Sequence, residues 1–237
     1  MRKKILWIIP ARSGSKSIVD KNIKDLGGYP LMIHRFLATK DSSFTHDIWL
    51  STDSQAYRDI ATVYGLEVPF LRPEVLSADN ASSNDVVLHA MQFAQERNLQ
   101  YDYVGLLEPT SPFIKVTDID AAIEELDKDL EAHGVVAVKE QRPARVFVQT
   151  EAKYLDEFCS NINDLQKVGR QNFVKEITPS GGFYICRWEN FLKKHTFYAN
   201  KTIAYEVDEI SGLEIDEPLD WEFAEFIMER KTRYDEL

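Results

Sequence analysis

Cysteine is scarce: among 237 residues there are two, Cys159 and Cys186. Two thiols exclude a disulfide framework and a cysteine-based structural zinc site, and the apolar and aromatic neighbours of both mark them as packing residues. Long apolar runs are missing too. Nothing approaches the roughly 20 residues that span a bilayer, and the basic start MRKK is followed only by Ile5 to Ile9 before Pro10. The expectation is a cytoplasmic protein that binds no membrane. Positive charge is in deficit, with 28 Lys and Arg against 39 Asp and Glu, a net of −11. That disfavours a broad nucleic-acid surface yet allows a local basic pocket.

Several motifs are also absent. There is no GxGxxG, no GxxxxGK[ST] and no GxSxG, which removes the main support for a dinucleotide oxidoreductase, a phosphate-loop ATPase or a serine hydrolase. His34, His46, His89, His133 and His195 show no metal-ligand spacing. Trp7, Trp49, Trp188 and Trp221 lack an intervening basic track, so they read as core rather than as a stacking platform for nucleic acid. No internal repeat, heptad seam or low-complexity tract interrupts the chain.

What is present reads as one large domain or one domain with a small appendage. ILWII is an uninterrupted apolar run, as in a central parallel strand covered on both faces. PLMIHRFLATK has helical spacing behind Pro30; DIWLSTD is a second strand, SQAYRDIATVYG a helix closed by Gly65, and EVPFL a short extended segment. A helical stripe from Asn84 to Arg97 precedes the buried strand YDYVGLLEP. VTDI at 116–119 opens another helix with Thr117 as its cap, and Gly134 leads into VVAVK. Periodicity weakens over Arg142 to Asn172, as in an insertion; GGFYICR and TIAYEV then resume strands before the helical LDWEFAEFIMERK. The sum predicts a three-layer, mostly parallel α/β domain with one inserted lobe.

The strand ends carry the chemistry. PARSGSKSIVDKN, residues 10–22, combines a glycine, hydroxyls and the cations Arg12, Lys16 and Lys21 directly after a strand, a composition suited to phosphate. Asp53 in STD either caps the next helix or orients a charged group. Arg72 either braces its loop or contacts a base or phosphate. Glu108, Thr110 and Ser111 follow a buried strand at its carboxyl end, where open sheets bind ligands. In LEIDEPLD, Glu214 and Asp216 alternate onto one face if extended, and paired carboxylates can hold a hard divalent ion beside phosphates. Charge is also segregated. Residues 1–25 hold seven basic and two acidic side chains, a local +5, whereas nine acids and no base lie from Glu206 to Glu225.

In order, IPARSGSKSIVDKN, WLSTD, PFLRPEVLSADNASS, LLEPTSPF, PSGGFYI and LEIDEPLD resemble the N-acylneuraminate cytidylyltransferase (CMP-sialic acid synthetase) family over nearly the whole chain. The resemblance implies a nucleotide-diphospho-sugar transferase-like α/β core with a small dimerisation lobe, at approximately 140–180, and hence a homodimer. It implies transfer of CMP from CTP to an acidic nonulosonic sugar with magnesium as cofactor. On matching positions, Arg12, Ser15, Lys16 and Lys21 would cradle the CTP phosphates, with Lys21, Arg12 and Lys16 catalytic. Asn22, Arg72 and a hydroxyl of Ser82 or Ser83 would hold cytidine, and Asp216 with Glu214 would hold the metal. Glu108, Arg145, Gln166, Arg170 and Tyr184 would face the sugar. Three positions depart from the familiar pattern: Glu214 stands where aspartate is usual, Glu108 replaces a glutamine, and SGG at 180–182 replaces NGA. The loss of an amide donor at Glu108 brings a legionaminate-like or other modified nonulosonic acid into view beside ordinary sialic acid. The alternatives are another sugar nucleotidyltransferase or a catalytically inactive nucleotide-binding protein.

Overall fold

The computed structural model describes residues 3–78, 81–141, 147–149, 155–157 and 175–235. In chain order its elements are β1 (Lys4–Pro10), β2 (Asp25–Leu26), β3 (Tyr29–Pro30), α1 (Leu31–Thr39), β4 (Thr45–Ser51), α2 (Gln55–Val63), α3 (Ser83–Glu96), β5 (Tyr103–Leu106), α4 (Val116–Lys128) and β6 (Gly134–Gln141). They continue with β7 (Phe147–Gln149), β8 (Leu155–Glu157), β9 (Glu176–Arg187), α5 (Trp188–Lys194), β10 (Thr202–Glu206) and α6 (Pro218–Asp235).

The main sheet has the order β10-β6-β9-β5-β1-β4. β1 runs parallel to both β4 and β5, and β10 runs parallel to β6; β9 is antiparallel to its neighbours β5 and β6. The mostly parallel sheet expected from the apolar runs is therefore present, with one reversed strand inside it. Every residue from Ile5 to Ile9 is buried because helices cover both faces: Ile5, Trp7 and Ile9 join one core and Leu6 and Ile8 the other. The first core takes its helical side from α1, α2 and α4, and the second from α3 and α5. The expected tryptophans are all core residues, and Cys186 is a buried thiol whose acidity burial suppresses, to about 12. Cys159 lies outside the described residues.

A third cluster supports the loops rather than the sheet. α6 lays Trp221, Ala224 and Ile227 against Ile18, Leu26, Leu31, Phe113 and Ile215. Burial of each large apolar side chain contributes about 1.5–3 kcal/mol, so the loop after β1 is anchored through Ile18 and the acidic segment through Ile215.

Two local expectations change. EVPFL is not a strand of its own but touches β4 and the residue after it through two isolated bridges, Trp49–Glu67 and Thr52–Leu71; Pro69 between them lacks the N–H a continuous ladder requires. Thr117 lies inside α4, and Lys115 is the residue before the helix. The Lys115 carbonyl already accepts from the N–H groups of Asp118 and Ile119, so the first turn begins one step ahead of the threonine. At the other end of the sheet, β6 and β9 continue pairing to Gln141 and Glu176, and β7 pairs antiparallel with β8. No helix among the described residues is long and apolar enough to cross a membrane.

Candidate active site

β1, β4 and β5 point their carboxyl ends to one edge of the sheet, where their following loops meet, as in other open α/β sheets. Two adjoining clefts open there. One, of about 340 Å³, is lined by Arg12, Ser15, Lys16, Lys21, Asn22 and Thr110, among others. The other, of about 190 Å³, includes Arg12, Arg72, Ala81 and Ser83. Pro10, Arg12 and Glu108 belong to both.

The loop after β1 is held at several points. Ala11 extends the strand by donating its N–H to Ser51 O at 2.9 Å, after which Gly14 takes a φ of +78° that favours glycine. Asp53 grips Ser13 twice, accepting from its N–H at 2.9 Å and its hydroxyl at 2.7 Å. Burial pushes the Asp53 carboxyl upward in pKa, but these two bonds and the nearby Arg72 outweigh it and hold the group below its ordinary value. Asp53 is not the cap of α2; Ser54 fills that role, accepting from Tyr57 N–H. Asn22 donates to Arg12 O at 3.1 Å, tying the end of the loop to its beginning. Asn22, expected at cytidine, therefore braces the loop after β1 as well as lining the larger cleft.

Arg12 and Arg72 converge on Ser77: Arg12 Nη1 donates to its carbonyl at 3.3 Å and Arg72 Nε to its hydroxyl at 3.1 Å. Arg72 is buried, and its Nη2 has no hydrogen-bond partner among the described residues. Burial and the repulsion of Arg12 lower the Arg72 pKa while Asp53 opposes them, so the smaller cleft is built around crowded positive charge. Ser82 and Ser83 have separate roles. Ser82 caps α3, accepting from Asp85 N–H at 3.1 Å and donating to its carboxylate at 2.7 Å, whereas Ser83 Oγ faces the cleft and donates to Glu108 Oε1 at 3.3 Å.

The acidic segment meets the basic loop at Lys21. This buried ammonium donates to Ile215 O at 2.7 Å and to Asp216 Oδ1 at 3.2 Å, and Ser17 Oγ donates to Asp216 O at 2.6 Å. The Asp216 side chain is 68% exposed, so its carboxylate also addresses solvent. Glu214 is paired with Lys139 Nζ at 3.0 Å. Among the described residues no three His, Cys, Asp or Glu side chains converge to hold an ion. Asp216, paired with Lys21 of the loop after β1, and Glu214, two residues earlier, are carboxylates of the kind that suits magnesium, which keeps several waters and takes further ligands from phosphates instead of a protein cage. Glu108 feels both acids. Burial raises its carboxyl from 4.5 to about 7, Glu214 and Asp216 add to the rise, and Ser83 and Arg35 oppose it.

The cytidylyltransferase family profile matches residues 6–234. The chain belongs to the cytidylyltransferase family. It is 34% identical to the N-acylneuraminate cytidylyltransferase of Escherichia coli O18:K1:H7, over 98% of this chain and 54% of that protein. It is 32% identical to the CMP-N,N'-diacetyllegionaminic acid synthase of Legionella pneumophila, over 95% and 97% of the two chains. It is also 29% identical to the pseudaminic acid cytidylyltransferase of Campylobacter jejuni, over 94% and 96%. This chain spans about half the length of the Escherichia coli relative and of the N-acylneuraminate cytidylyltransferases of Streptococcus agalactiae. In fold it is similar to a CMP:2-keto-3-deoxy-manno-octonic acid synthetase solved with CTP, with a TM-score of 0.71, 16% identity and coverage of 96% and 99%.

In this chain the structure gathers Arg12, Ser15, Lys16, Lys21, Asn22, Arg72, Ser83 and Glu108 around the two clefts. Tyr184 stands on β9 opposite Leu106, stacked edge-on with Tyr198; burial first, then Tyr198 and Glu108, raise its phenol pKa. Arg145, Gln166 and Arg170 lie outside the described residues. The family resemblance did not single out four side chains that shape the site: Asp53 through Ser13, Lys139 through Glu214, Tyr198 through Tyr184, and Arg35 within α1. Of these only Asp53 carried a signal in sequence, its position at a strand end.

Proposed function

We propose that this chain transfers CMP from CTP to the anomeric hydroxyl of an acidic nonulosonic sugar and releases pyrophosphate. The observation that carries the reading is the junction at Lys21, which ties a cation-rich loop suited to a triphosphate to Asp216, in a cytidylyltransferase. Arg12, Lys16 and Lys21 would stabilise charge on the phosphate oxygens, and Ser15 would add a hydroxyl donor. Arg72, whose Nη2 has no hydrogen-bond partner among the described residues, and Ser83 would hold the cytidine side in the smaller cleft, with Asn22 in the adjoining larger one. The acceptor oxygen bonds to the α-phosphorus as the bond from that phosphorus to its bridging oxygen breaks, so pyrophosphate leaves and the hydroxyl proton passes to a base. Alignment and electrostatics carry the rate, and no covalent intermediate with the protein is required.

Asp216 and Glu214 would hold magnesium against the nucleotide. When bound, that ion neutralises phosphate charge and fixes the geometry of displacement. On the sugar side, Glu108 and Tyr184 would act with Arg145, Gln166 and Arg170, as the family resemblance implies, and the interval of approximately 140–180 would form a lobe that pairs two copies as a homodimer. The enzyme would work in the cytoplasm, where CTP is available, with no nucleic-acid or membrane partner.

A modified nonulosonic acid is the second reading of the acceptor, favoured by one observation: Glu108, in place of an amide, lies where both clefts meet and accepts from the Ser83 hydroxyl. The test is pyrophosphate release by the purified chain with magnesium, crossing CTP, UTP, ATP and GTP with N-acetylneuraminate, deaminated neuraminate, legionaminate and pseudaminate. The expected result is release with CTP and one preferred acid. Release with another nucleotide, or none with any acid, overturns the reading.

A further inference from the structure

α1 carries a residue that its apolar stripe does not account for. Arg35 lies one helical turn beyond Leu31 and Met32 and is buried with 0% exposure. Desolvating a guanidinium costs several kcal/mol, and an apolar side chain of similar volume often packs at least as favourably. Burial draws the Arg35 pKa down to about 9, which leaves the group charged at neutral pH. Among the described residues it forms no ion pair within 4.0 Å. What the guanidinium adds is direction. Nη1 donates to Ser111 O at 3.1 Å and Nη2 to Gly182 O at 2.6 Å, while Nε has no partner among the described residues.

Those two carbonyls belong to the loop after β5 and to the glycine pair of β9, and further bonds lead from them into the site. Ser111 Oγ donates to Ser180 O at 3.0 Å. Thr110 O accepts from Ile215 N–H at 2.8 Å, and Ile215 O accepts from Lys21 at 2.7 Å. Gly181, with a φ of +63°, approaches so closely that a Cβ there would lie 2.6 Å from Ser111 Oγ and 2.7 Å from Glu214 Oε1. Behind Glu108, Arg35 also supplies a fixed positive charge that favours the ionised carboxylate.

We propose that Arg35 is a positioning residue for the acceptor side of the site: from inside the core it clamps the Glu108–Ser111 loop onto the Gly181–Gly182 bend of β9 and so sets where Glu108 stands relative to Tyr184. The sugar-side part of this inference rests on the function proposed above, but the clamp itself can be read without substrate.

Arg35→Met and Arg35→Lys in the full chain test it, the lysine keeping the charge but not the two-pronged planar geometry. Amide hydrogen exchange at Ile215, whose N–H bonds Thr110, should rise about tenfold in Arg35→Met, with an unchanged circular dichroism spectrum. The KM for the sugar acid should rise about tenfold while the KM for CTP stays within about twofold, Arg35→Lys falling between. If Arg35→Met does not fold, Arg35→Lys carries both measurements. Unaltered exchange at Ile215 in a folded variant overturns the clamp whether or not the wild type makes a CMP-sugar. Faster exchange with equal changes in both KM values overturns the acceptor-side role. Absence of CMP-sugar from the wild type would instead refute the proposed function, leaving the exchange result to decide the clamp.

Discussion

Lys21 and Asp216, 195 positions apart in the chain, meet at 3.2 Å, and the same ammonium donates to the carbonyl of Ile215. The acid of this pair is largely exposed and the base largely buried, so the contact is a hinge point between two loops more than a source of stability; pairs of this kind contribute about 0–1 kcal/mol. Its consequence is chemical. Asp216→Asn and Lys21→Met should each lower kcat at least about a hundredfold, with Asp216→Asn unfolding within about 1 kcal/mol of wild type. Steady-state kinetics with urea denaturation checks both, and a kcat within a factor of two would remove the residue from its assigned role.

Asp53 should matter for nucleotide affinity. Removing a charged acceptor from two hydrogen bonds costs about 1.5–3 kcal/mol per bond where the partners stay buried, and here the partners belong to the loop at Ser13. Asp53→Ala is expected to raise the KM for CTP about tenfold or more with a smaller effect on the sugar, since the loop, not the acceptor side, loses its latch. Equal effects on both substrates would contradict the latch.

The elements were legible where one physical signal ruled. Ile5 to Ile9 read as a doubly covered strand because no polar residue breaks the run, and Pro30 and Gly65 marked helix ends through restricted φ and left-handed φ. The reversal of β9 was not legible, because an apolar strand buried on both faces has the same pattern in either direction. Asp53 was ambiguous for a similar reason: an acid after a strand suits a cap and a latch equally, and Ser54 one step on takes the cap. Arg35 and Lys139 were silent, since a cation in a helix or at a strand end ordinarily faces water. Their partners, Ser111 O, Gly182 O and Glu214, come from distant segments.

Glu108 gives the protein a pH signature. Its carboxyl is raised by burial from 4.5 to about 7, so the folded state holds the proton more tightly than the unfolded chain. The associated stability is full below about pH 4.5 and is lost as the pH rises through about 7. Relative to wild type, Glu108→Gln should therefore gain about 2 kcal/mol between pH 5 and pH 8. Denaturant melts of both proteins at the two pH values measure it; a difference independent of pH would rule out the shift.

Gly181 tests the packing behind the carboxylates. Its φ of +63° disfavours any side chain, and a methyl group there would force the Ser111 and Glu214 side chains to shift. Gly181→Ala should cost about 1–3 kcal/mol and should disturb Glu214, so the magnesium concentration for half-maximal activity should rise. A variant as stable as wild type with the same magnesium dependence would contradict this account.

The basic loop and the acidic segment joined at Lys21 are proposed to form a CMP-transfer centre. Its most direct measurement is the product of one reaction, with CTP, magnesium and a nonulosonic acid incubated with the purified chain and analysed by mass spectrometry alongside pyrophosphate. A CMP-sugar and one pyrophosphate for each sugar consumed are expected, both lost in Lys21→Met; no CMP-sugar from any acid of the panel, or undiminished formation in Lys21→Met, would rule out such a centre.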